Sequence, residues 1–185
     1  MQEIHFDTTK NLGPYAGSPK IRKDVSYSKE LAEFIGIMLG DGNIYKNSIC
    51  IAFDKRNEKY ISYVNTLFQR LFGTPLKKKV SSHNNGAYLY FYSKELVEKL
   101  LCFGLQRGDK IKNRVGMPLW IKQNASYSKA CVRGLIDTDG CIYYCKRERR
   151  VYIKFTNVNL QLLQDFKDIT KLIGYSFARA NKNNA

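Results

Sequence analysis

Residues 132–140 read Val-Arg-Gly-Leu-Ile-Asp-Thr-Asp-Gly, an apolar segment that ends in an acidic turn. Residues 34–42 have the same layout and read Phe-Ile-Gly-Ile-Met-Leu-Gly-Asp-Gly. In both stretches a Gly stands five residues before the last Asp, another Gly follows that Asp, and Ser-Tyr-Ser-Lys lies upstream. A layout that occurs twice predicts an internal repeat, in which one structural unit is built two times.

The composition is strongly basic. The 185 residues include 31 Lys and Arg against 16 Asp and Glu, which gives a formal net charge of +15. Such an excess repels itself within a compact chain, so it favours a polyanionic partner, and nucleic acid comes first. A membrane surface is less favoured, because the basic residues do not follow one face of an amphipathic helix. No apolar run approaches the ~20 residues of a membrane span.

The five cysteines do not form a zinc motif. They stand at positions 50, 102, 131, 141 and 145, and the two histidines are remote from the only close pair. The first ten residues carry acids and lack the apolar centre of a secretory signal. We therefore expect reduced thiols and a cytoplasmic protein, or one in the matrix or stroma of an organelle if an organelle encodes it.

Residue periodicity divides the chain into four regions. Residues 1–25 contain Gly and Pro without a regular period and are predicted to be an N-terminal arm, in which Arg22 and Lys23 are either phosphate contacts or part of a solvated tail. Residues 26–105 form a first repeat with the order helix, hairpin, helix, hairpin, helix. Residues 106–125 are a basic connector. Residues 126–185 begin the same order again, with a motif helix predicted from Ser128 to Asp137.

The second repeat is predicted to be incomplete. Its last residues, 182–185, align with residues 84–87, which form the turn of the second hairpin in the first repeat. The return strand and the final helix would then be absent, and an unpaired strand edge would lie beside an uncovered apolar face. We therefore expect a C-terminally truncated second repeat.

The two motif stretches resemble the nonapeptide that names the LAGLIDADG homing endonucleases. Either stretch alone is also compatible with an ordinary buried helix that ends in an Asp-Gly turn, but two copies with matched flanks favour the family. The resemblance implies an α+β fold of two pseudo-symmetric αββαββα-type repeats, with antiparallel saddle-shaped sheets around a central pair of motif helices. The agreeing positions are Gly134, Leu135, Ile136, Asp137, Asp139 and Gly140 in the second copy, and Gly36, Asp41 and Gly42 in the first.

Small residues in both motifs are spaced to share a helix face. Residues four apart lie on the same side of a helix, and small side chains there let two backbones approach closely. The predicted helix interface consists of Gly36 and Gly40 in the first motif and Gly134 and Thr138 in the second.

This packing would bring the carboxylates of Asp41 and Asp139 to one point. Converging carboxylates repel each other unless a cation lies between them, and oxygen ligands favour a hard divalent ion, Mg²⁺ or another such as Mn²⁺. We predict Asp41 and Asp139 as catalytic metal ligands, supported by Gly40 and Thr138. Metals shared across a phosphodiester can activate water and stabilise the leaving oxygen.

The resemblance also implies a basic residue near the scissile phosphate. Lys110 and Lys112 of the connector match the region where this residue is expected, although a solvated basic loop is the alternative. Asp137 is assigned a helix-capping or supporting role. Asp54 and Thr156 stand at strand ends, where the family places polar groups that organise water.

Strand alternation separates an apolar face from a polar, aromatic one that would bind DNA. A two-stranded ribbon fits the major groove, where Arg and Lys read guanine, and lysines also bind phosphate. The residues assigned to this face are Tyr45, Ser48, Cys50, Lys77, Lys79, Ser81, Tyr88, Tyr90, Tyr92, Tyr143, Arg147, Tyr152, Lys154 and Thr156.

These observations predict a monomeric, metal-dependent, site-specific DNA endonuclease. By the resemblance it would hydrolyse both strands of double-stranded DNA at an intron insertion site, within a long and partly pseudo-palindromic sequence. Two alternatives on the same scaffold are a maturase that binds intron RNA and a sequence-specific DNA-binding protein that does not cleave. Retention of both Asp41 and Asp139 favours the enzyme.

Overall fold

The computed structural model describes residues 21–22, 24–175 and 177. Its helices and strands confirm the predicted α+β class with antiparallel sheets, in the predicted order. The elements are α1 Lys29–Gly40, β1 Gly42–Tyr45, β2 Ser48–Asp54, α2 Glu58–Phe72, β3 Lys77–Val80, β4 Gly86–Tyr92, α3 Lys94–Cys102, α4 Leu119–Lys122, α5 Ala125–Asp139, β5 Gly140–Cys145, β6 Arg150–Phe155 and α6 Leu160–Leu172.

The two motif helices begin differently, although the same tetrapeptide precedes both motifs. Ser28 caps α1, where its hydroxyl accepts a hydrogen bond from the Leu31 N–H at 3.1 Å. The prediction that Ser128 begins α5 is wrong, because Asn124 is the N-cap and accepts from the N–H groups of Ser126 and Tyr127. The second Ser-Tyr-Ser-Lys therefore lies inside the helix. The connector also contains a short helix, α4, that was not predicted.

The first repeat forms a four-stranded antiparallel sheet with the strand order β1-β2-β4-β3. Its register places Tyr90 opposite both Cys50 of β2 and Lys77 of β3. In the described part of the second repeat, β5 and β6 form a two-stranded sheet in which Tyr143 pairs with Tyr152.

The helix α1 is buried along nearly its whole length, from Leu31 to Leu39. Phe34 packs against Phe68 and Phe72 of α2, with ring centroids 5.6 and 5.7 Å apart. A helix that is apolar on nearly every side lies inside a protein, so α1, in which Glu33 is the one buried charged residue, is the centre around which the remaining elements pack.

The motif helices α1 and α5 touch backbone to backbone. A Cβ atom built on Gly36 would lie 2.3 Å from the Cys131 carbonyl oxygen, and one on Gly134 would lie 2.4 Å from the Glu33 carbonyl oxygen. Nearer the helix ends, a Cβ on Gly40 would lie 2.0 Å from Thr138 Oγ1. All four residues predicted at the interface thus lie in this contact, and three of them leave no room for a larger side chain.

The two repeats differ in how much of their first hairpin is covered. Ile44 and Ile49 pair across β1 and β2 and are 3% and 0% exposed. The corresponding pair, Ile142 and Ile153 across β5 and β6, is 62% and 42% exposed. These two side chains border a cavity of about 410 Å³ between α5 and α6. Residues 182–185, which carry the prediction of an incomplete second hairpin, lie outside the described residues.

Part of the predicted N-terminal arm packs on the domain. Ile21 is buried, and the Arg22 N–H donates to the Phe72 carbonyl at 2.9 Å. Arg22 also donates to the Arg70 carbonyl, so it covers the end of α2, and its role as a phosphate contact stays a prediction. Lys23 and residues 1–20 lie outside the described residues. Across the described ranges, the helices are too short or too polar to cross a membrane.

The α1–α5 contact predicts that Gly36→Ala destabilises the protein. In an ordinary helix Gly→Ala stabilises by roughly 0.5–1 kcal/mol, but here the added Cβ meets backbone atoms of α5 that cannot turn away. We expect a loss of about 1–3 kcal/mol in the free energy of unfolding, measured by urea denaturation. Ser126→Ala, at an exposed position of α5, is the control and should change stability little. A more stable Gly36→Ala variant would contradict the packing.

Candidate active site

The two motif aspartates lie at equivalent positions where the motif helices end. The Asp41 N–H donates to the Ile37 carbonyl and closes α1, while Asp139 is the last residue of α5. Each aspartate is then held by the returning strand of its hairpin. Ala52 N–H donates to the Asp41 carbonyl, and Thr156 N–H donates to the Asp139 carbonyl, both at 3.2 Å.

The electrostatics of the pair show that the carboxylates interact. Residue Asp41 is open to solvent at the helix end, but protein atoms crowd its carboxyl group, and this desolvation together with the charge of Asp139 raises its pKa to about 6. Desolvation also raises the pKa of Asp139, against the effect of a hydrogen bond from Asn157. The structure therefore brings the two predicted carboxylates into one electrostatic site.

Lys110 reaches this site from the connector. Its ammonium group donates to the carbonyl oxygens of Met38, Leu39 and Gly42 at 3.2, 2.9 and 2.7 Å, and also to the Gly40 carbonyl. These carbonyls form the negative end of the α1 dipole. Desolvation lowers the pKa of Lys110, while Asp139 and Asp41 oppose that shift. The lysine therefore faces a helix terminus and both acids.

Lys112, the second predicted lysine, is placed elsewhere. Its N–H donates to Asp109 Oδ1 at 3.1 Å in a tight turn, and its side chain is exposed. Asp109 Oδ1 also accepts from the Ile111 N–H at 2.9 Å, so this carboxylate holds the backbone of the turn in which Lys112 lies. The structure thus separates the two lysines, which sequence reasoning could not do.

Two asparagines that were not predicted organise the site from the second repeat. Asn157 Nδ2 donates to Asp139 Oδ2 at 2.7 Å. Asn159 caps α6 and donates through Nδ2 to the carbonyls of Lys110 and Val115, which fixes the loop that carries the lysine. The sequence signal was Asn-Val-Asn directly after a strand, a pattern typical of a helix N-cap.

Asp54 and Thr156, the two residues assigned to organise water, do not occupy equivalent positions in the two repeats. The strand registers pair Gly42 with Ile51 and Gly140 with Phe155, so Thr156 corresponds to Ala52. The hairpin of the second repeat is longer, and this shifts the alignment. The Asp54 carboxylate instead accepts from the Arg56 side chain at 2.9 Å.

A second polar cluster joins α1, α2 and α5 through residues that precede the two acids along the motif helices. Arg133 of α5 lies 2.9 Å from the buried Glu33 carboxylate of α1 and donates to the Tyr63 hydroxyl of α2, which in turn donates to Glu33. Asp137 lies 3.9 Å from Arg133. The carboxyl group of Asp137 therefore belongs to this cluster, and it does not cap α5.

The donor set fits a hard divalent cation. Among the described residues, no three His, Cys, Asp or Glu side chains converge as a metal cluster. Mg²⁺ needs only one or two protein carboxylates, however, because water and substrate phosphates supply its other oxygens. Asp41 and Asp139 meet that requirement. Gly40 and Thr138 were predicted to support the metal. In this structure the Gly40 carbonyl accepts from Lys110, and the Thr138 hydroxyl donates to carbonyls of its own helix.

The predicted DNA-binding residues of the strands share one sheet face. In the first repeat the register aligns Tyr45 with Ser48, Ser48 with Tyr92, Cys50 with Tyr90, and Lys79 with Tyr88. In the second repeat, Lys154 pairs with Cys141, on the face that carries Tyr143 and Tyr152. Sequence reasoning missed Asn43, which pairs with Cys50 on this face, and Cys141.

Two residues assigned to that face lie in turns. The Ser81 hydroxyl accepts from the N–H groups of His83 and Asn84 and so supports the turn after β3. Arg147 lies in the loop between β5 and β6, where it contacts Glu148 at 3.4 Å. The alternation was carried one residue past the end of β3 for Ser81 and two residues past the end of β5 for Arg147.

Comparison with known proteins agrees with this geometry. Residues 126–182 match the family model of the LAGLIDADG-like domain. A structure of mesophilic variants of the homing endonuclease I-DmoI has a TM-score of 0.51 and 17% identity, and the match covers 80% of this chain and 78% of that one. The chain has the LAGLIDADG fold.

Other LAGLIDADG structures are similar to the same extent. I-DmoI in complex with DNA and Mn has a TM-score of 0.50 and 18% identity, with 80% of this chain and 79% of that chain covered. The N-terminal LAGLIDADG domain of DUF199/WhiA has a TM-score of 0.51 and 12% identity, with 82% and 69% covered. The replication factor C small subunit of Methanocaldococcus jannaschii is 31% identical over 144 residues, which is 76% of this chain but only 8% of that relative's length.

The raised pKa of Asp41 predicts that a neutral side chain there stabilises the fold. From about pH 4 to pH 6 the folded state binds more protons at Asp41 than the unfolded state does, so this carboxyl's contribution to the free energy of unfolding falls as the pH rises. We expect Asp41→Asn to raise the melting temperature near pH 7 in a chelating buffer, with the gain shrinking towards pH 4. A lower melting temperature at neutral pH would contradict the assigned repulsion.

Proposed function

We propose that this LAGLIDADG protein is a site-specific, metal-dependent DNA endonuclease that cuts both strands of duplex DNA. The observation that carries the proposal is the convergence of Asp41 and Asp139 at the ends of two motif helices in backbone contact, with the Lys110 ammonium bonded to carbonyls at the end of α1. A protein that only binds DNA has no need for two carboxylates held together at a cost to stability.

The solved structures give independent support. I-DmoI, whose fold this chain shares, is described in complex with DNA in the presence of Mn and of Ca. The low sequence identity means that this likeness speaks for the fold, so the proposed activity rests on the residues of the site. By the same resemblance, the target is a long, partly pseudo-palindromic site at an intron insertion point, and the protein acts as a monomer.

The residues of the site suggest a division of labour. Asp41 and Asp139 would hold Mg²⁺, which when bound supplies charge stabilisation at the reacting phosphate and activates water. Asn157 orients the Asp139 carboxylate by its hydrogen bond. Lys110 supplies a positive charge beside the acids, where it can stabilise charge that develops on a phosphate oxygen. Its bonds to the α1 carbonyls fix it in place.

Recognition is assigned to the tyrosine-bearing sheet face. Its tyrosines are exposed or half-buried, and Lys77 and Lys79 stand between them, while the opposite face of β2 and β4 is buried. Basic side chains on a two-stranded ribbon can contact phosphates and base edges in the major groove. The charge of +15 favours such a polyanionic partner.

A non-cleaving binding protein is the second candidate. The four carbonyl contacts of Lys110 would also serve a purely structural role at the end of α1, and the WhiA domain shows a comparable fold match. DNA that is shifted but left intact would favour this candidate, and preferential binding of intron transcripts would favour the maturase.

Cleavage tests the proposal directly. Incubation of the protein and Mg²⁺ with a randomised duplex library, followed by sequencing of the ends produced, should yield one preferred site. On that site the wild type should give linear product, whereas Asp41→Asn and Asp139→Asn should bind but slow cleavage by about 100-fold or more, because each removes a charge that acts on the reacting phosphate. Unchanged cleavage by either variant would refute the metal assignment.

Lys110 and Lys112 provide a matched comparison in the same assay. Lys110→Met should lower the cleavage rate strongly, since its ammonium faces both acids, while Lys112→Met should leave the rate within a few-fold of the wild type. Equal losses in the two variants would show that the connector acts only through its total charge.

The sheet face predicts a residue-specific salt dependence. Lys79 lies on the tyrosine face, whereas Lys78 next to it points to the other face and pairs with Glu58 at 3.0 Å. For binding to a duplex in Ca²⁺, Lys79→Ala should flatten the slope of log K against log salt by about 0.9, the value of one lost phosphate contact. Lys78→Ala is the control. A larger effect at Lys78 would show that DNA binds the opposite face of the sheet.

A further inference from the structure

The two motif acids are supported unequally. In each repeat a strand N–H binds the carbonyl of the acid, from Ala52 in the first and from Thr156 in the second. The residue after Thr156 is Asn157, which donates to the Asp139 carboxylate. The residue after Ala52 is Phe53, whose side chain has no hydrogen-bond donor. At this position the second repeat has a side-chain donor for Asp139, the amide of Asn157, whereas the first repeat has the aromatic ring of Phe53.

The Asp41 carboxylate consequently lacks a partner of this kind. Within residues 21–22, 24–175 and 177, no side chain donates a hydrogen bond to it, although Lys110 lies close enough for its charge to act. A carboxylate that must stay ionised beside another carboxylate is stabilised by a donor, and Asp139 has one.

Tyr60 is the donor that the surrounding residues leave free. Its ring packs edge-on against Phe53, with centroids 5.7 Å apart, and stacks on Tyr63 at 6.3 Å. Its hydroxyl oxygen is fully buried and has no hydrogen-bond partner among the described residues. Buried hydroxyls are nearly always hydrogen-bonded, so this unpaired one needs an explanation.

The position of Tyr60 brings it to the Asp41 side of the site, because its ring packs on Phe53, and the N–H of the preceding residue, Ala52, binds the Asp41 carbonyl. After desolvation, the negative charges of Asp137 and Asp41 are the main causes that raise the pKa of this hydroxyl, which therefore stays protonated and able to donate. Tyr63 cannot take this role, because its hydroxyl already donates to Glu33 and accepts from Arg133.

We propose that Tyr60 is a positioning residue for Asp41, the counterpart in the first repeat of Asn157 in the second. Its hydroxyl donates to the Asp41 carboxylate when this group turns to hold a divalent cation, and thereby keeps the carboxylate oriented. The two acids are thus supported by different chemistry, an amide for Asp139 and a phenol for Asp41. This inference rests on the proposed cation-dependent function of the acid pair.

The test uses Tyr60→Phe, which removes only the hydroxyl, with Tyr63→Phe as the matched aromatic control. Without divalent ion, Tyr60→Phe should melt at the wild-type temperature or above it, because no bond within the described residues is lost. Ca²⁺ affinity, measured by calorimetry on the full chain, should fall about 10-fold in Tyr60→Phe. In Tyr63→Phe melting should fall, since two bonds are lost, while Ca²⁺ affinity should change less.

The Mg²⁺-dependent cleavage rate separates this inference from the proposed function. Weaker Ca²⁺ binding by Tyr60→Phe in a protein that does not cleave supports the inference and refutes the nuclease. Unchanged Ca²⁺ affinity in a protein that does cleave refutes the inference alone. Absence of any Ca²⁺ binding that depends on Asp41 also overturns it.

Asp137 is the rival partner of the hydroxyl. Asp137→Leu gives the second motif the residue that Leu39 provides in the first, so it removes the rival carboxylate with a side chain already used at the equivalent position. If Tyr60→Phe still weakens Ca²⁺ binding in the Asp137→Leu background, the hydroxyl acts on Asp41. If the effect disappears there, the hydroxyl serves Asp137, and the proposal is wrong.

Discussion

The direct backbone contact between α1 and α5 is the constraint on which the rest of the structure depends. Gly36 and Gly134 have no side chains at the crossing, so carbonyl groups of each helix lie where a Cβ atom of the other would be. This closeness buries α1 almost completely and makes it the core of the molecule. It also fixes the distance between the helix ends, and therefore places both motif acids in one site.

Bringing two helix C-termini and two carboxylates together concentrates negative charge. The carbonyls at a helix end carry a partial negative charge of their own. Lys110 offsets this concentration through its bonds to the α1 carbonyls and its charge beside Asp41 and Asp139. The remaining cost is visible in the raised pKa of Asp41, which desolvation causes first and the charge of Asp139 increases further. Stability and function thus oppose each other at this point, as is common where charged groups are held ready to bind a ligand.

The two repeats have diverged within a common plan. Each has a motif helix, a hairpin and a second helix, and in each the returning strand binds the carbonyl of the motif acid. The hairpin of the second repeat is longer, its apolar pair Ile142 and Ile153 is exposed, and Asn157 takes the position of Phe53. Equal sequence layout therefore does not produce equal surroundings for Asp41 and Asp139.

The sequence by itself determined the order of elements, the small-residue faces of the motif helices and the pairing of Asp41 with Asp139, because helical and strand periods and short motifs are local properties. It also identified the side of the sheet that carries Tyr88, Tyr90 and Lys79. Its errors were local as well, since a strand period does not reveal where a turn begins, and this misplaced Ser81 and Arg147.

Only the tertiary structure decided which polar groups meet. The choice between Lys110 and Lys112 depends on a tight turn and on Asn159, which lies far along the chain. The joining of Arg133 to Glu33, and the isolation of the Tyr60 hydroxyl, depend on three helices packing together. Hydrogen bonds form where donors and acceptors come within about 3 Å, and residues distant in sequence reach that separation only after the chain has folded.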